Sequence, residues 1–303
     1  LLQRIIAKTI VAQEVTIMNF KTVALLHPGN MGATIGAAAA TGGARVVWVS
    51  HQRSPATRER AKRAGLIELE SLGEAVRESD VILSVCPPDA ALDLARSVAE
   101  HNFNGVYVDA NAVSRATAEE IGRIVTKAGA SFVDGGIIGA PVKQAGTTRL
   151  YLSGGRAAEV AELFAASMLS ARPIGPTPGA ASALKVVYAA WTKCSDGLVL
   201  AIRALAALEG VDQALSQEWS ISQPDLARKS TRAAAVAAPK AWRYVGEMKE
   251  IAESFEAAGL TPGFHNAAAD IWSRLAPFKD RIDPPPTLEE VLDTLCRSCD
   301  KLH

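Results

Sequence analysis

The stretch from Lys21 to Ser54, KTVALLHPGNMGATIGAAAATGGARVVWVSHQRS, constrains the fold more than any other part of the chain. The apolar run Thr22 to Leu26 predicts a buried strand, which turns through His27-Pro28-Gly29-Asn30-Met31-Gly32 into an alanine-rich helix. Gly42-Gly43 stops that helix, and Arg45 to Val49 predicts a second strand. Strand, glycine turn, helix and strand are half of a mononucleotide-binding βαβ unit. Gly29 lets backbone approach a pyrophosphate, Gly32 lets the helix pack close to the strand, and the helix N-terminus offers its free N–H groups to the phosphates. Gly29, Asn30, Met31 and Gly32 are therefore the expected cofactor turn. The fingerprint's first glycine is replaced by His27.

Beyond Ser50 the pattern keeps alternating. Helices are expected over 55–64, 71–78, 89–100, 114–128 and 156–169, and strands over 80–85, 105–109, 131–136 and 148–153. Such alternation argues for a largely parallel sheet covered on both faces. The loop Pro173-Ile174-Gly175-Pro176-Thr177-Pro178-Gly179 marks a boundary, after which a helical pattern runs from Ala180 to Glu209 with Gly197 as its interior breaker. Helical periodicity then continues over 216–219, 224–229, 241–258, 262–274 and 287–302, with no strand expected after 175. The fold class read from the sequence is an α/β Rossmann-like, doubly wound domain over 18–178 followed by an all-α domain over 179–303.

Composition excludes some partners. Lys plus Arg and Asp plus Glu both number 32, so no general field draws the chain to nucleic acid or an anionic membrane. No apolar run reaches the roughly 18 residues a span needs. Residues 1–17 read as an upstream extension of Met18, with Arg4, Lys8 and Glu14 interrupting any leader-like core. Cys86 and Cys194 stand apart, and Cys296 and Cys299 form a lone C-x-x-C without the partners of a zinc set. Reduced thiols in a cytoplasmic protein are the expectation, with no metal.

Several stretches together resemble the β-hydroxyacid dehydrogenase superfamily, which includes 6-phosphogluconate and 3-hydroxyisobutyrate dehydrogenases and the imine reductases. His27 to Gly32 resembles its G-L-G-x-M-G turn, Asp109-Ala110-Asn111-Ala112 its D-x-S-T segment, Asp134 to Ala140 its D-A-P-V-S-G-G loop, and Gly179 to Lys185 the G-x-G-x-x-x-K that opens a long helix. The HPG turn, with Lys185 to Lys193, is similar to a subgroup whose C-terminal helical domain has no assigned function. The resemblance implies a dinucleotide-dependent oxidoreductase, Lys185 as its catalytic acid/base, and a homodimer through the helical domain. Departures are equally specific. Ile138-Gly139-Ala140 stand where the family has Ser-Gly-Gly, and Ala189 where it has asparagine, which removes polar partners that a substrate carboxylate needs.

Lys185 sits just inside a helix N-terminus, where the dipole disfavours an ammonium and lowers its pKa toward a working range. Thr192 and Lys193 share its helix face and are expected to hold substrate with Ile138, Gly139 and Ala140; a salt bridge from Lys193 to Asp196 or to another helix is the alternative. Asn111 follows a strand end and is expected beside the nicotinamide ribose or the substrate, and Cys86-Pro87-Pro88 ends a strand on the same edge. About twenty residues past the turn, an acid would read a ribose 2′-hydroxyl. Ser50, Arg53 and Ser54 stand there, which favours NADP(H) over NAD(H). The expected function is hydride transfer between nicotinamide and a hydroxyl or carbonyl group of a small molecule. An imine reductase and a non-catalytic NADP(H)-binding protein are the alternatives.

Overall fold

The computed structural model describes residues 20–297. The expectations for residues 1–17, for the first residues of the Rossmann-like domain and for Cys299 lie outside that range. The order is β1 (Thr22–Leu26), α1 (Asn30–Thr41), β2 (Arg45–Val49), α2 (Pro55–Arg63), β3 (Ile67–Leu69), α3 (Leu72–Glu78), β4 (Val81–Ser84), α4 (Ala91–Ala99), β5 (Val106–Asp109), α5 (Arg115–Lys127) and β6 (Ser131–Gly139). There follow β7 (Thr148–Ser153), α6 (Ala157–Glu162), β8 (Ser170–Pro173), and then helices only: α7 (Ala180–Leu208), α8 (Asp212–Ser222), α9 (Asp225–Arg232), α10 (Ala241–Ala257), α11 (Gly263–Arg274) and α12 (Leu288–Arg297).

One sheet runs in the order β3-β2-β1-β4-β5-β6-β7-β8, parallel throughout except that β7 lies antiparallel to β6. The strand period of two divides β1 between two cores. Val23 and Leu25 pack with Ile35 and Ala39 of α1, while Ala24 and Leu26 pack with Ala91 and Ala95 of α4 and Ile121 of α5. Burial on both faces is why the strand reads as an unbroken apolar run rather than an alternating one. Ser54, Ser71 and Ser114 cap α2, α3 and α5 by accepting from the amides of Thr57, Glu74 and Thr117, worth about 1 kcal/mol each. A third core joins the helices around Trp272, with Leu200, Met248, Ile251 and Leu295.

Two strands and several boundaries differ from expectation. β3 and β8 were not anticipated: each is a short strand toward an edge of the sheet, and Ile67-Glu68-Leu69 is too brief for a period to show. The helix expected over 156–169 is only α6, and its last residues lead into β8. β6 runs on to Gly139, so Ile138 and Gly139 belong to a strand and not to a substrate loop. In the helical half, α8 is much longer than the 216–219 expected, and α9 continues through a π turn at Ala233–Ala237.

Asp134 on β6 joins the halves. Its buried carboxylate accepts from Ser153 Oγ at 3.0 Å and from the Ser182 backbone N–H at 2.9 Å, while the Ala181 N–H donates to Ser153 Oγ at 3.0 Å. A carboxylate on the first amides of a helix satisfies donors that otherwise lack partners and matches the helix dipole.

Candidate active site

β1 ends at Leu26, and His27 turns the chain with φ 68°, a left-handed conformation that costs a side-chain-bearing residue about 1–2 kcal/mol. That conformation is why the fingerprint prefers glycine here. The His27 carbonyl accepts from Gly29 N–H at 2.8 Å, and a Cβ on residue 32 would lie 2.4 Å from that same oxygen, so Gly32 has no substitute. Gly29 is different, since a Cβ there would meet nothing within 4 Å. It borders open space at the start of α1, whose first amides have no side-chain cap.

At the end of β2 the three expected residues divide. Ser50 is buried and its carbonyl accepts from Arg58 at 3.0 Å, Arg58 itself being paired with Glu68. Ser54 spends its hydroxyl on capping α2. Arg53 alone of the three sends its side chain into a cavity of about 350 Å³, which His27, His51, Gln52, Glu70 and Ser71 also line. Arg53 Nε and His27 Nδ1 are both buried there without a hydrogen-bond partner. Burial, and then the Arg53 cation, push the His27 imidazole down to about 4, against a smaller opposing pull from the Leu26 backbone, so the ring is neutral at pH 7. Buried polar groups are normally paired, so two orphans facing one cavity fit a polar ligand. Open space at Gly29 and uncapped amides on α1 fit the phosphates of a dinucleotide. Glu70 escaped the sequence reading because it follows β3, a strand the sequence hides.

Asn111 does not face that ligand space. It is buried, and its carboxamide accepts from the Cys86 N–H at 2.6 Å while donating to Ser84 Oγ at 2.9 Å and Asp109 Oδ2 at 2.8 Å. The expected cofactor contact is thus corrected to a brace that ties the ends of β4 and β5 and fixes the Cys86-Pro87-Pro88 turn. Burial raises the fully enclosed Asp109 carboxyl to about 7, with the Asn111 bonds opposing. Burial and the Asp109 carboxylate push the Cys86 thiol up to about 12, which leaves it unreactive.

Lys185 lies near the start of α7, its stem against Gly136 of β6, where an added Cβ would come within 3.3 Å of the lysine Cβ. Its surroundings are Ala112, Val186, Ala189 and Ile251 with Glu247 and Glu250, around a gap of only about 10 Å³. That is room for one water at most. Among the described residues Lys185 has no ion pair, and burial lowers its ammonium from 10.5 to about 8. Glu250 is held by the Ser114 N–H at 2.9 Å, and burial raises its carboxyl.

The other expected substrate residues fall into place unequally. Lys193 is ion-paired with Glu247 of α10 and lies 4.6 Å from the Tyr244 ring centroid, so the salt-bridge alternative holds, with Glu247 rather than Asp196. Asp196 pairs with Arg232 at 2.8 Å. Burial and the nearby Lys185 and Lys240 cations press the Lys193 ammonium downward. The Thr192 hydroxyl donates to the Tyr188 carbonyl of its own helix at 3.1 Å, which spends its proton and leaves it only as an acceptor. Ile138 is buried and shares the Gly136 face of β6, and Gly139, at φ 126°, leads into the exposed Ala140, whose carbonyl accepts from Thr148 Oγ1 at 2.6 Å.

A largely parallel sheet with a glycine turn at an uncapped helix N-terminus, followed by a long helix carrying a half-buried lysine, is the layout of the dinucleotide-dependent oxidoreductases of the Rossmann type. Residues 22–170 match the NAD binding domain of 6-phosphogluconate dehydrogenase, and residues 206–275 match a domain of unknown function, DUF1932. An uncharacterized 28.5 kDa protein from Methanothermus fervidus is 30% identical over 156 residues, which are 51% of this chain and 59% of that relative's length. Among solved structures, MTH1747, a conserved protein of unknown function with structural similarity to 3-hydroxyacid dehydrogenases, is 25% identical with a TM-score of 0.67, covering 85% of this chain and 97% of its own. Mycobacterium tuberculosis 3-hydroxyisobutyrate dehydrogenase shares the fold at 21% identity and TM-score 0.68, over 91% of this chain and 99% of its own.

Proposed function

We propose that the protein is an NADP(H)-dependent oxidoreductase that interconverts a hydroxyl and a carbonyl group on a small molecule, with Lys185 as the general acid and base. The observation that carries this reading is Lys185 itself: a half-buried lysine with no counter-ion among the described residues, its ammonium lowered to about 8, in the gap between the sheet and the helical half. An amine poised near neutrality exchanges a proton with a substrate oxygen at little cost in either direction. The bound nicotinamide would supply or accept the hydride at the carbon that bears that oxygen. The amides of α1 would hold the pyrophosphate, Arg53 would meet a 2′-phosphate, and the Lys185 Nζ proton would pass to the carbonyl oxygen on reduction and return on oxidation.

The reading includes a homodimer built on α7. Leu184, Tyr188, Trp191, Leu198, Ile202 and Leu205 leave an exposed apolar stripe along this 29-residue helix, and Trp191 is 71% exposed. A stripe that long normally meets a partner surface. Steady-state turnover on a panel of alcohols, ketones and imines tests the chemistry: imine-only turnover, or none, overturns it. Light scattering at micromolar concentration tests the dimer, which a monomer mass would refute.

A further inference from the structure

Apart from a weak interaction with the Leu26 backbone, the His27 ring takes no part in the turn, yet it fills a place where the fingerprint has no side chain at all. A left-handed histidine is a costly choice where glycine would serve, and such strain persists where it has a use. The ring lines the cavity at the ends of β1, β2 and β3, whereas Gly29 and the first, uncapped turn of α1 lie outside that lining. Two ligand groups of a dinucleotide therefore fall at two places: the pyrophosphate at α1, and the adenosine ribose beside His27 and Arg53.

Resting on the NADP(H) reading, we propose that His27 is a specificity-determining contact for the cofactor's ribose 2′-phosphate, acting with Arg53. Nδ1 of His27 and Nε of Arg53 are buried polar atoms without hydrogen-bond partners, on two side chains that line this cavity, and a phosphate monoester drawn in between those side chains would give both a partner. A neutral imidazole has one N–H and one bare nitrogen, and a phosphate monoester, partly protonated near neutral pH, can meet either. Arg53 supplies the charge and His27 supplies direction. A ribose hydroxyl in the same place engages one orphan and leaves the other buried and unsatisfied, which penalises the unphosphorylated cofactor.

Calorimetric titration of 2′,5′-ADP and of 5′-AMP tests the proposal without turnover. His27→Gly suits the left-handed turn, so the variant folds, and His27→Asn tolerates that conformation while keeping a donor near the Nδ1 position. The expected result is a preference for 2′,5′-ADP in the native protein, a loss of about ten- to hundredfold in its affinity in His27→Gly with 5′-AMP within about twofold, and partial recovery in His27→Asn. A native protein with no preference between the two ligands sinks the NADP(H) reading, and this proposal with it. A preference that survives intact in His27→Gly sinks this proposal alone, as does an equal loss for both ligands, which would assign the ring to the shape of the turn.

Discussion

The two ends of the cleft are built in opposite ways. At the adenosine end a cavity of about 350 Å³ is open, and its buried polar atoms lack partners. At the lysine end the gap is about 10 Å³, and most charges are already spent: Lys193 on Glu247, Glu250 on the Ser114 amide. Lys185 is the exception, half-buried and without an ion pair among the described residues. The Arg53 cavity thus has room for a polar ligand, while the proposed reaction end has room for no more than a water and would have to open to admit a substrate. Around Lys185 the uncharged lining is apolar, and the carboxylates of Glu247 and Glu250 face the same gap, an environment better matched to a neutral carbonyl compound than to a carboxylate.

The largest effect is expected at the sealed end. Lys185→Met should lower turnover by about 10²- to 10⁴-fold while leaving NADPH affinity within about twofold. A variant with native turnover on any accepted substrate would end the proposed mechanism. Arg53→Met probes the open end: NADPH affinity, read by protein fluorescence, should fall about ten- to hundredfold, with turnover at saturating cofactor nearly unchanged. A loss confined to turnover would erase the distinction between the two ends.

A pH series sharpens the contrast further. Carbonyl reduction needs the Lys185 ammonium, so its rate should fall about tenfold per pH unit above roughly 8, and alcohol oxidation, which needs the free amine, should rise toward a plateau over the same limb. Identical profiles in both directions would exclude the lysine. Stability should move against the reduction rate and with the oxidation rate. The amine's value in the folded chain, about 8, lies below its ordinary 10.5, so the unfolded chain binds more protons between them. The cost of burying the cation is therefore full below pH 8 and is relieved as pH climbs toward 10.5. Lys185→Met should accordingly be more stable at pH 7 by about 1–3 kcal/mol in urea, with the difference shrinking by pH 10. An equal difference at both pH values would mean that packing, not charge, separates the two proteins.

How far the sequence could be read follows the same division. Elements buried on both faces announced themselves: β1, β2, β4 and β5 are continuous apolar runs, and α7 follows a proline-glycine loop with no proline inside it. The short β3 and β8 carry too few residues to show a period, and with β3 went Glu70, the acid on the cavity rim. Residue type located Lys185 and Arg53 but could not tell a ligand contact from a structural one. Asn111, Ser54 and Thr192 all have polar groups at plausible places, and each is bonded within the protein instead, Asn111 across to Ser84 and Cys86 and the other two to their own helices. Pairing between distant segments decides such cases. Lys193 met Glu247 because α10 folds back on α7, a contact no local spacing reveals.

The clasp of Asp134 on the first turn of α7 has a mechanical consequence. Because Ser182 and Ala181 are bonded to β6 and β7 side chains, the segment that carries Lys185 is registered to the sheet, one turn from the anchor. Moving α10 away from Lys185 would break the Lys193–Glu247 pair and the bond from the Ser114 N–H to Glu250, whereas the Asp134 clasp would keep the lysine's segment on the sheet. In the proposed mechanism the proton donor would thus hold its register with the strands that carry the cofactor while a substrate was admitted.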